Sequence, residues 1–306
     1  MEAVIQTHQL TKSFNKTSVV NGISLHVRKG EIYGFLGLNG AGKTTTIRML
    51  LGMIRPDSGA SYLMGKQVTD GSLDVWARVG YMVETPYSYP ELTVYENLEI
   101  VRRLRQFTKS RAIDGVMEKL HLTPYRDQKA KSLSLGNAQR LGLAKAMLHE
   151  PEVLILDEPT NGLDPAGIVE IRELLRDLAA RHGVTIFLSS HLLGEVTKLA
   201  TRIGIIHQGK LVQESDVSQL QHVLQKRLVV NTRDSETARL KLMEAGYPVR
   251  LSEEGALVIT SGEAIASPDT IARLLVNNDL PPILLKVEEE DLETYFLRTI
   301  GNKGDA

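Results

Sequence analysis

The chain has 306 residues, a length that suits one main domain with a smaller one appended. Its 36 basic and 37 acidic side chains leave a net charge of -1, which excludes a global field drawing it to nucleic acid or acidic lipid. Cysteine is absent, which excludes disulfides and thiolate metal sites and fits a reducing, cytoplasmic compartment. The opening MEAVIQTHQL carries an early acid and no apolar signal core, and the longest apolar runs have strand length, so neither export nor a membrane span is expected.

Residues 4–9 and 19–27 predict two antiparallel strands around a polar turn over 12–17, with Ile23, Leu25 and Val27 marking one covered face. Residues 31–36 read as a strand entering a glycine-rich loop, followed by a helix over 44–53. From 91 to 121 the pattern is helical, with Leu98, Val101 and Leu104, then Ile113, Val116, Met117 and Leu120, at three-and-four spacing. The run 153–156, between Pro151 and Pro159, predicts a strand buried on both faces of a parallel sheet. A helix over 166–182, a strand over 184–189, a helix over 192–200 and strands over 202–207 and 210–213 continue an α/β succession.

Beyond about residue 218 the pattern changes. It reads strand 227–230, helix 235–245, strands 249–251 and 257–259 around a Glu-Glu-Gly turn, helix 268–276 and strand 282–287. That β-α-β-β-α-β order predicts a small α+β, ferredoxin-like unit. The acidic run 288–293 reads as the solvated first turn of a closing helix.

Residues 37–44, Gly-Leu-Asn-Gly-Ala-Gly-Lys-Thr, have the P-loop form between a strand and a helix. Its glycines let backbone N–H groups wrap a phosphate chain, and the helix N-terminus adds its positive end. Lys43 is suited to the β- and γ-phosphates, the Thr44 hydroxyl to Mg²⁺, and Thr45 to the α-phosphate side. Such a loop needs an acidic partner for the metal, and Asp157 and Glu158 stand where the apolar strand ends. Neighbouring strand side chains point opposite ways, so the two divide the work: Asp157 toward the metal, Glu158 toward the water as general base. Alone they would read as solvated acids after a strand.

Residues 133–140 open a helix at which Ser134 and the Gly136 backbone can bind phosphate. Ser189, Ser190 and His191 end the strand after the acidic one. A lone strand-end histidine is more often structural, but one strand beyond a nucleotide site His191 is a candidate γ-phosphate contact.

In this order the motifs resemble the ATP-binding subunits of ABC transporters, over about residues 3–215. Phe14 stands where that family stacks an aromatic ring on adenine. Residues 37–45 match its P-loop, with Gly37, Asn39, Gly40, Ala41, Gly42, Lys43, Thr44 and Thr45 as nucleotide contacts. Residues 133–137 match its signature, with Ser134, Gly136 and Asn137, residues 161–164 its D-loop, and His191 its switch histidine.

The resemblance implies an α/β fold: a P-loop ABC nucleotide-binding domain over 1–217 with a mixed sheet core, an antiparallel β subdomain and a helical subdomain over about 85–147. The accessory domain takes 218–306. It implies ATP and Mg²⁺, with Lys43, Glu158 and His191 catalytic and Thr44 and Asp157 at the metal. It also implies a head-to-tail dimer, a homodimer in the simplest case, in which Ser134 and Gly136 act on the ATP of the other chain. A transmembrane permease would hold the subunit, itself cytoplasmic, at the inner face of the cell membrane.

Three motifs depart from the family pattern. The signature reads LSLGN where LSGGQ is commoner, keeping the serine and the glycine in place. Phe14 stands where tyrosine is commoner, which leaves stacking intact. Glu84, in Val83-Glu84-Thr85-Pro86, replaces the usual Q-loop glutamine, so a third carboxylate is expected at the nucleotide and its metal. Glu84 together with residues 89–98 and the closing stretch 290–297 is similar to the branch that includes bacitracin-export and lantibiotic-immunity ATPases.

The leading reading is an ATPase that powers export of a peptide antibiotic or similar amphipathic compound, giving resistance or immunity. Residues from Glu84 to about Leu98 would meet the permease; loop packing is the alternative for Tyr87 and Tyr89. A soluble ABC ATPase acting on nucleic acid or ribosomes is the second reading, opposed by a single P-loop and by the lack of room for a long coiled coil between Lys43 and Asp157. A nucleotide-binding regulator without turnover is the third, opposed by the joint presence of Lys43, Asp157, Glu158 and His191. No direct nucleic-acid partner is expected, and residues 218–306 carry no chemistry of their own, with dimer stabilisation and regulation both open.

Overall fold

Alternating apolar positions at the start of the chain and continuous apolar runs further on produce two different sheets. The computed structural model describes residues 3–69, 73–84, 87–109, 111–252, 255–290 and 292–301. They form two units, Met1–Ser218 with Thr299–Ala306, and Gln219–Arg298.

In the first unit β1 (Ala3–Phe14) and β2 (Thr17–Arg28) form a hairpin. Val20, Ile23, Leu25 and Val27 are the buried residues of β2, one covered face of a strand with its other face open. β3 (Ile32–Leu36) is buried throughout and leads into α1 (Lys43–Leu50). β4 (Ser58–Leu63) and β5 (Lys66–Gln67) return to the first sheet, ordered β2-β1-β4-β5 and antiparallel. After α2 (Leu73–Trp76) and β6 (Val79–Met82) come α3 (Val94–Leu104), α4 (Ala112–Lys119) and α5 (Leu135–Met147). The unit continues with β7 (Val153–Asp157), α6 (Pro165–His182), β8 (Thr185–Ser190), α7 (Leu193–Val196), β9 (Arg202–His207) and β10 (Lys210–Asp216).

The second sheet runs β10-β9-β3-β8-β7-β6, parallel except at the β10 edge. β3, β8 and β7 are neighbours, so the loops at Gly37, His191 and Glu158 leave the same edge side by side. Ile5, Leu10 and Leu25 of the first sheet, Ile47 and Leu50 of α1, and Phe35, Ile155 and Phe187 of the second share one core. Phe187 lies 5.5 Å from Tyr33 and 5.4 Å from Phe35, ring to ring.

Several boundaries differ from expectation for local reasons. The first turn shrinks to Asn15 and Lys16, both at positive φ, the backbone hand that matches a two-residue hairpin. Lys12 stays in the strand, its Nζ 2.7 Å from Asp57. The helix expected over 192–200 is only the four-residue α7. Leu192 gives it no side-chain cap, and Thr197 Oγ1 bonds back to the Leu193 carbonyl at 3.1 Å, a contact that bends helices. β4 and β6 escaped the sequence reading because both are short and contain glycine. At Gly80 of β6 a Cβ would stand 2.1 Å from the Ala146 carbonyl, so α5 packs directly onto that strand.

The second unit begins within α8 (Val217–Val223) and continues through β11 (Lys226–Asn231), α9 (Ser235–Glu244), β12 (Val249–Leu251) and β13 (Leu257–Ile259). α10 (Gly262–Ala266), α11 (Pro268–Asn277) and β14 (Leu284–Glu289) follow, and the unit ends at Arg298 within α12 (Leu292–Gly301). Its antiparallel sheet is ordered β12-β13-β11-β14, the split βαβ arrangement, over a core of Leu228, Val230, Leu242, Ile259, Ile271 and Leu275. Glu253 and Glu254 of the expected turn lie outside the described residues.

Only the end of the acidic run 288–293 starts the closing helix, with Glu293 in the first turn of α12. Glu288 and Glu289 belong to β14, opposite Arg227 and Lys226 of β11, and Glu288 pairs with Arg227 at 3.1 Å. Glu290 accepts two bonds of 2.8 Å from Arg298, and its side chain is nearly buried. Cross-strand charge pairing therefore uses what looked like solvated acids; Asp291 lies outside the described residues. Among the described residues no helix is long and apolar enough to cross a membrane.

Candidate active site

The P-loop connects β3 to α1 and is clamped on both sides by backbone. Gly37 N–H donates to the Ser190 carbonyl at 3.3 Å, tying the loop to the end of β8. Gly42 adopts φ of 107°, and a Cβ there would sit 2.6 Å from the Val19 carbonyl, so both its conformation and its neighbour require glycine. Ala41 and Lys43 are buried, Thr44 and Thr45 half-buried, and Asn39 and Gly40 exposed. Lys43 Nζ turns back to donate to the Gly37 carbonyl at 2.7 Å and lies 3.4 Å from Glu158 Oε1.

Asp157 closes β7 with its carboxylate buried. It accepts from Thr44 Oγ1 at 2.7 Å through one oxygen and from Ser189 Oγ through the other. Glu158, one residue on, has φ of 50°, a left-handed backbone uncommon outside glycine. Three contacts hold that backbone: its N–H donates to Ser189 Oγ at 3.1 Å and the Ser189 carbonyl at 3.2 Å, and its carbonyl accepts from Gln139 Nε2 at 3.0 Å. The Glu158 side chain is thus swung away from Asp157, with Oε2 2.9 Å from His191 Nδ1. An ionised carboxylate only accepts, so His191 Nδ1 carries the hydrogen.

The structure therefore brings together Lys43, Thr44, Asp157, Glu158 and His191, and adds Ser189 and Gln139, which the sequence reading left without a role. The available signal was Ser189 itself: a hydroxyl directly after the apolar run Ile186, Phe187 and Leu188 in a fully buried strand. The Thr44 hydroxyl beside the Asp157 carboxylate is the donor pair that fits Mg²⁺ completed by water and phosphate oxygens. Among the described residues no three His, Cys, Asp or Glu side chains gather as an all-protein metal cage.

Among the described residues Ser134, Asp164, Phe14 and Glu84 make no hydrogen bond or ion pair to that group, whereas Asn161 N–H of the D-loop donates to the Glu158 carbonyl at 3.1 Å. Ser134 is the N-cap of α5, accepting from Asn137 N–H at 3.3 Å, with Ser134 and Leu135 exposed and Gly136 and Asn137 half-buried. Asp164 of the D-loop caps α6, accepting from Gly167 N–H at 2.9 Å. Phe14 is half-exposed, with Lys12 Nζ 5.6 Å from its ring centre. The Glu84 carboxylate pairs with Arg48 of α1 at 2.5 Å. Thr85 and Pro86 lie outside the described residues.

Lys145 of α5 is a further residue without a role in the sequence reading. Its Nζ donates to the Tyr87 carbonyl at 2.9 Å, Ser88 Oγ at 2.8 Å and Asn97 Oδ1 at 3.3 Å, so it ties the helix behind Ser134 to the segment after Glu84. Burial pushes its ammonium down to about 8. A depressed lysine contributes stability that is present above the ordinary lysine range and lost as pH falls through about 8. Arginine stays charged throughout. In urea unfolding, wild type is expected to gain stability relative to Lys145→Arg as pH rises from about 8 toward 10.5. Parallel pH curves would remove this account.

A P-loop set beside a buried aspartate and a histidine-bound glutamate on one edge of a mixed sheet defines a P-loop nucleotide-hydrolysing protein. Residues 20–161 match the family described as ABC transporter. The bacitracin transport ATP-binding protein BcrA of Enterococcus faecalis is 41% identical over 308 residues, 100% of this chain and 99% of that one. The lantibiotic transport ATP-binding protein SrtF of Streptococcus pyogenes is 36% identical over 213 residues, 70% of this chain and 91% of SrtF. A solved ATP binding subunit of an ABC transporter superposes with a TM-score of 0.65 at 27% identity, covering 72% of this chain and 92% of its own. The chain belongs to the ATP-binding subunits of ABC transporters, and it is an ATPase.

Proposed function

We propose that this subunit hydrolyses MgATP to drive a membrane permease that exports bacitracin or a lantibiotic-like peptide, and so confers resistance on the cell. The hydrolytic half rests on one observation above all: Asp157 faces Thr44 while Glu158, one residue on, faces His191. Two carboxylates adjacent in sequence thereby have separate surroundings, one suited to a cation and one to a proton.

Bound Mg²⁺, held by Thr44 and Asp157, supplies charge neutralisation at the phosphates. Lys43 adds a positive charge on the same side, and the backbone from Gly37 through Asn39, Gly40, Ala41 and Gly42, with Thr45, cradles the phosphate chain. Glu158 takes the proton of the attacking water, and His191 orients its carboxylate through Nδ1–H. Phe14 stacks on the adenine. Ser134, Gly136 and Asn137 are exposed or half-buried and make no hydrogen bond to their own P-loop, which suits completion of the site of a second copy in a head-to-tail dimer. Glu84 reaches the nucleotide only on leaving Arg48.

In the same reading residues 1–217 form the ATP-binding domain, with 85–147 as its helical subdomain, and 218–306 an accessory domain. The segment that includes exposed Tyr87 and half-exposed Tyr89 meets the permease, so the subunit is cytoplasmic and peripheral on the inner face of the membrane. The substrate follows from the full-length likeness to BcrA. In a bacitracin-susceptible host supplied with the partner permease, wild type is expected to raise the inhibitory concentration of bacitracin and Lys43→Ala to abolish the protection. Equal protection by Lys43→Ala would sink ATP-driven export, and no protection by wild type against bacitracin or a lantibiotic would sink the substrate assignment.

A further inference from the structure

A cavity of about 840 Å³ opens on the first unit at the opposite edge of the mixed sheet from the P-loop. Glu152 just before β7, and Val184 and Thr185 at the start of β8, line it, so it sits at the amino ends of the strands whose carboxyl ends lead to Glu158 and His191. One face of α4 closes it. The cavity shares no residue with the nucleotide site.

Its floor is apolar, with Val116, Met147, Leu154 and Val184 buried beneath it. Its wall carries five cations, Lys29, Arg78, Lys109, Arg111 and Lys119, against two carboxylates, Glu150 and Glu152. Arg78 grips Glu152 with both prongs at 2.6 and 2.7 Å, and Lys109 pairs with Glu150. Among the described residues Lys29, Arg111 and Lys119 have no carboxylate within ion-pairing distance. On a chain with a net charge of -1 this is a local concentration of positive charge.

Gly115 lies inside α4 on the cavity wall, and a Cβ there would meet no atom within 4 Å. Glycine inside a helix is costly, and no packed neighbour demands it here. What its missing side chain preserves is open space.

We propose that this cavity is a second binding site, for an acidic amphiphile whose apolar body rests on the floor while its anionic group is met by Lys29, Arg111 and Lys119. A volume of this size, lined by apolar residues together with a few charges, is the usual make-up of a small-molecule site, and Arg111 offers an anion two parallel donors. The ligand touches α4 and the roots of β7 and β8 together.

Calorimetric titration of the full chain with hexyl phosphate tests the site, with inorganic phosphate and hexanol as its two halves. Saturable binding of one hexyl phosphate per chain is expected, weakened about tenfold or more in Arg111→Ala/Lys119→Ala and for either half alone. Gly115→Leu fills the space and is expected to abolish binding with an unfolding temperature no lower than wild type, while Lys43→Ala leaves binding unchanged. No saturable binding, equal binding of hexanol, or binding that survives both cavity variants overturns the proposal. Flotation with phosphatidylglycerol vesicles separates the sources. Vesicle capture lost in Arg111→Ala/Lys119→Ala identifies a lipid headgroup, and hexyl phosphate binding without vesicle capture identifies a free amphiphile.

Discussion

Replacing Glu158 with glutamine is expected to lower ATP turnover by about 10²–10⁴-fold, the usual worth of a general base, while ATP binding stays intact. The substitution is nearly isosteric. Its amide oxygen can still accept from His191 Nδ1–H, and the backbone contacts to Ser189 and Gln139 do not involve the side chain at all. The left-handed turn at residue 158 therefore persists, and the loss reports the proton acceptor rather than a displaced loop. Nucleotide binding rests on Lys43, Thr44 and the loop backbone, none of which changes. Single-turnover phosphate release and equilibrium ATP binding, measured on the same preparation, separate the two effects. Near-normal release would sink the assignment of Glu158 as base.

Contiguous features of this site were readable before folding. The P-loop is eight consecutive residues, β7 is an apolar run closed by Asp157, and α6 announces itself with Asp164 as cap, Pro165 in its first turn and Gly183 at its end. Contacts set by strand register were not readable. Ser189 meets Asp157 only because β7 and β8 pair so that these two residues lie opposite each other. The same holds for Glu288 against Arg227, where pairing of β14 with β11 turned an apparent helix start into a strand. Glu84 differs again, because a carboxylate on a loop goes to whichever cation its backbone offers, and here that is Arg48 at 2.5 Å.

Mixing two damaged chains, Lys43→Ala and Ser134→Ala, is expected to restore activity that neither has alone. In a head-to-tail dimer each site takes its P-loop from one chain and its signature from the other. Either homodimer then has two impaired sites, whereas the heterodimer concentrates both lesions in one site and leaves the second whole. Random assortment gives roughly a quarter of wild-type turnover if the two sites act independently. Sites contained within single chains predict the opposite, since every chain in the mixture carries a lesion and no whole site can form. The geometry favours exchange: Ser134 lies exposed at the N-terminus of a helix that, among the described residues, makes no hydrogen bond to its own P-loop, and its hydroxyl accepts the cap contact from Asn137 N–H. Strong coupling between sites would suppress turnover in the heterodimer, so occlusion of ATP is counted as well, with Glu158→Gln present in both chains. One ATP retained per heterodimer and none per homodimer is the expected outcome. A mixture that neither turns over nor occludes ATP beyond its parents would rule out the shared site.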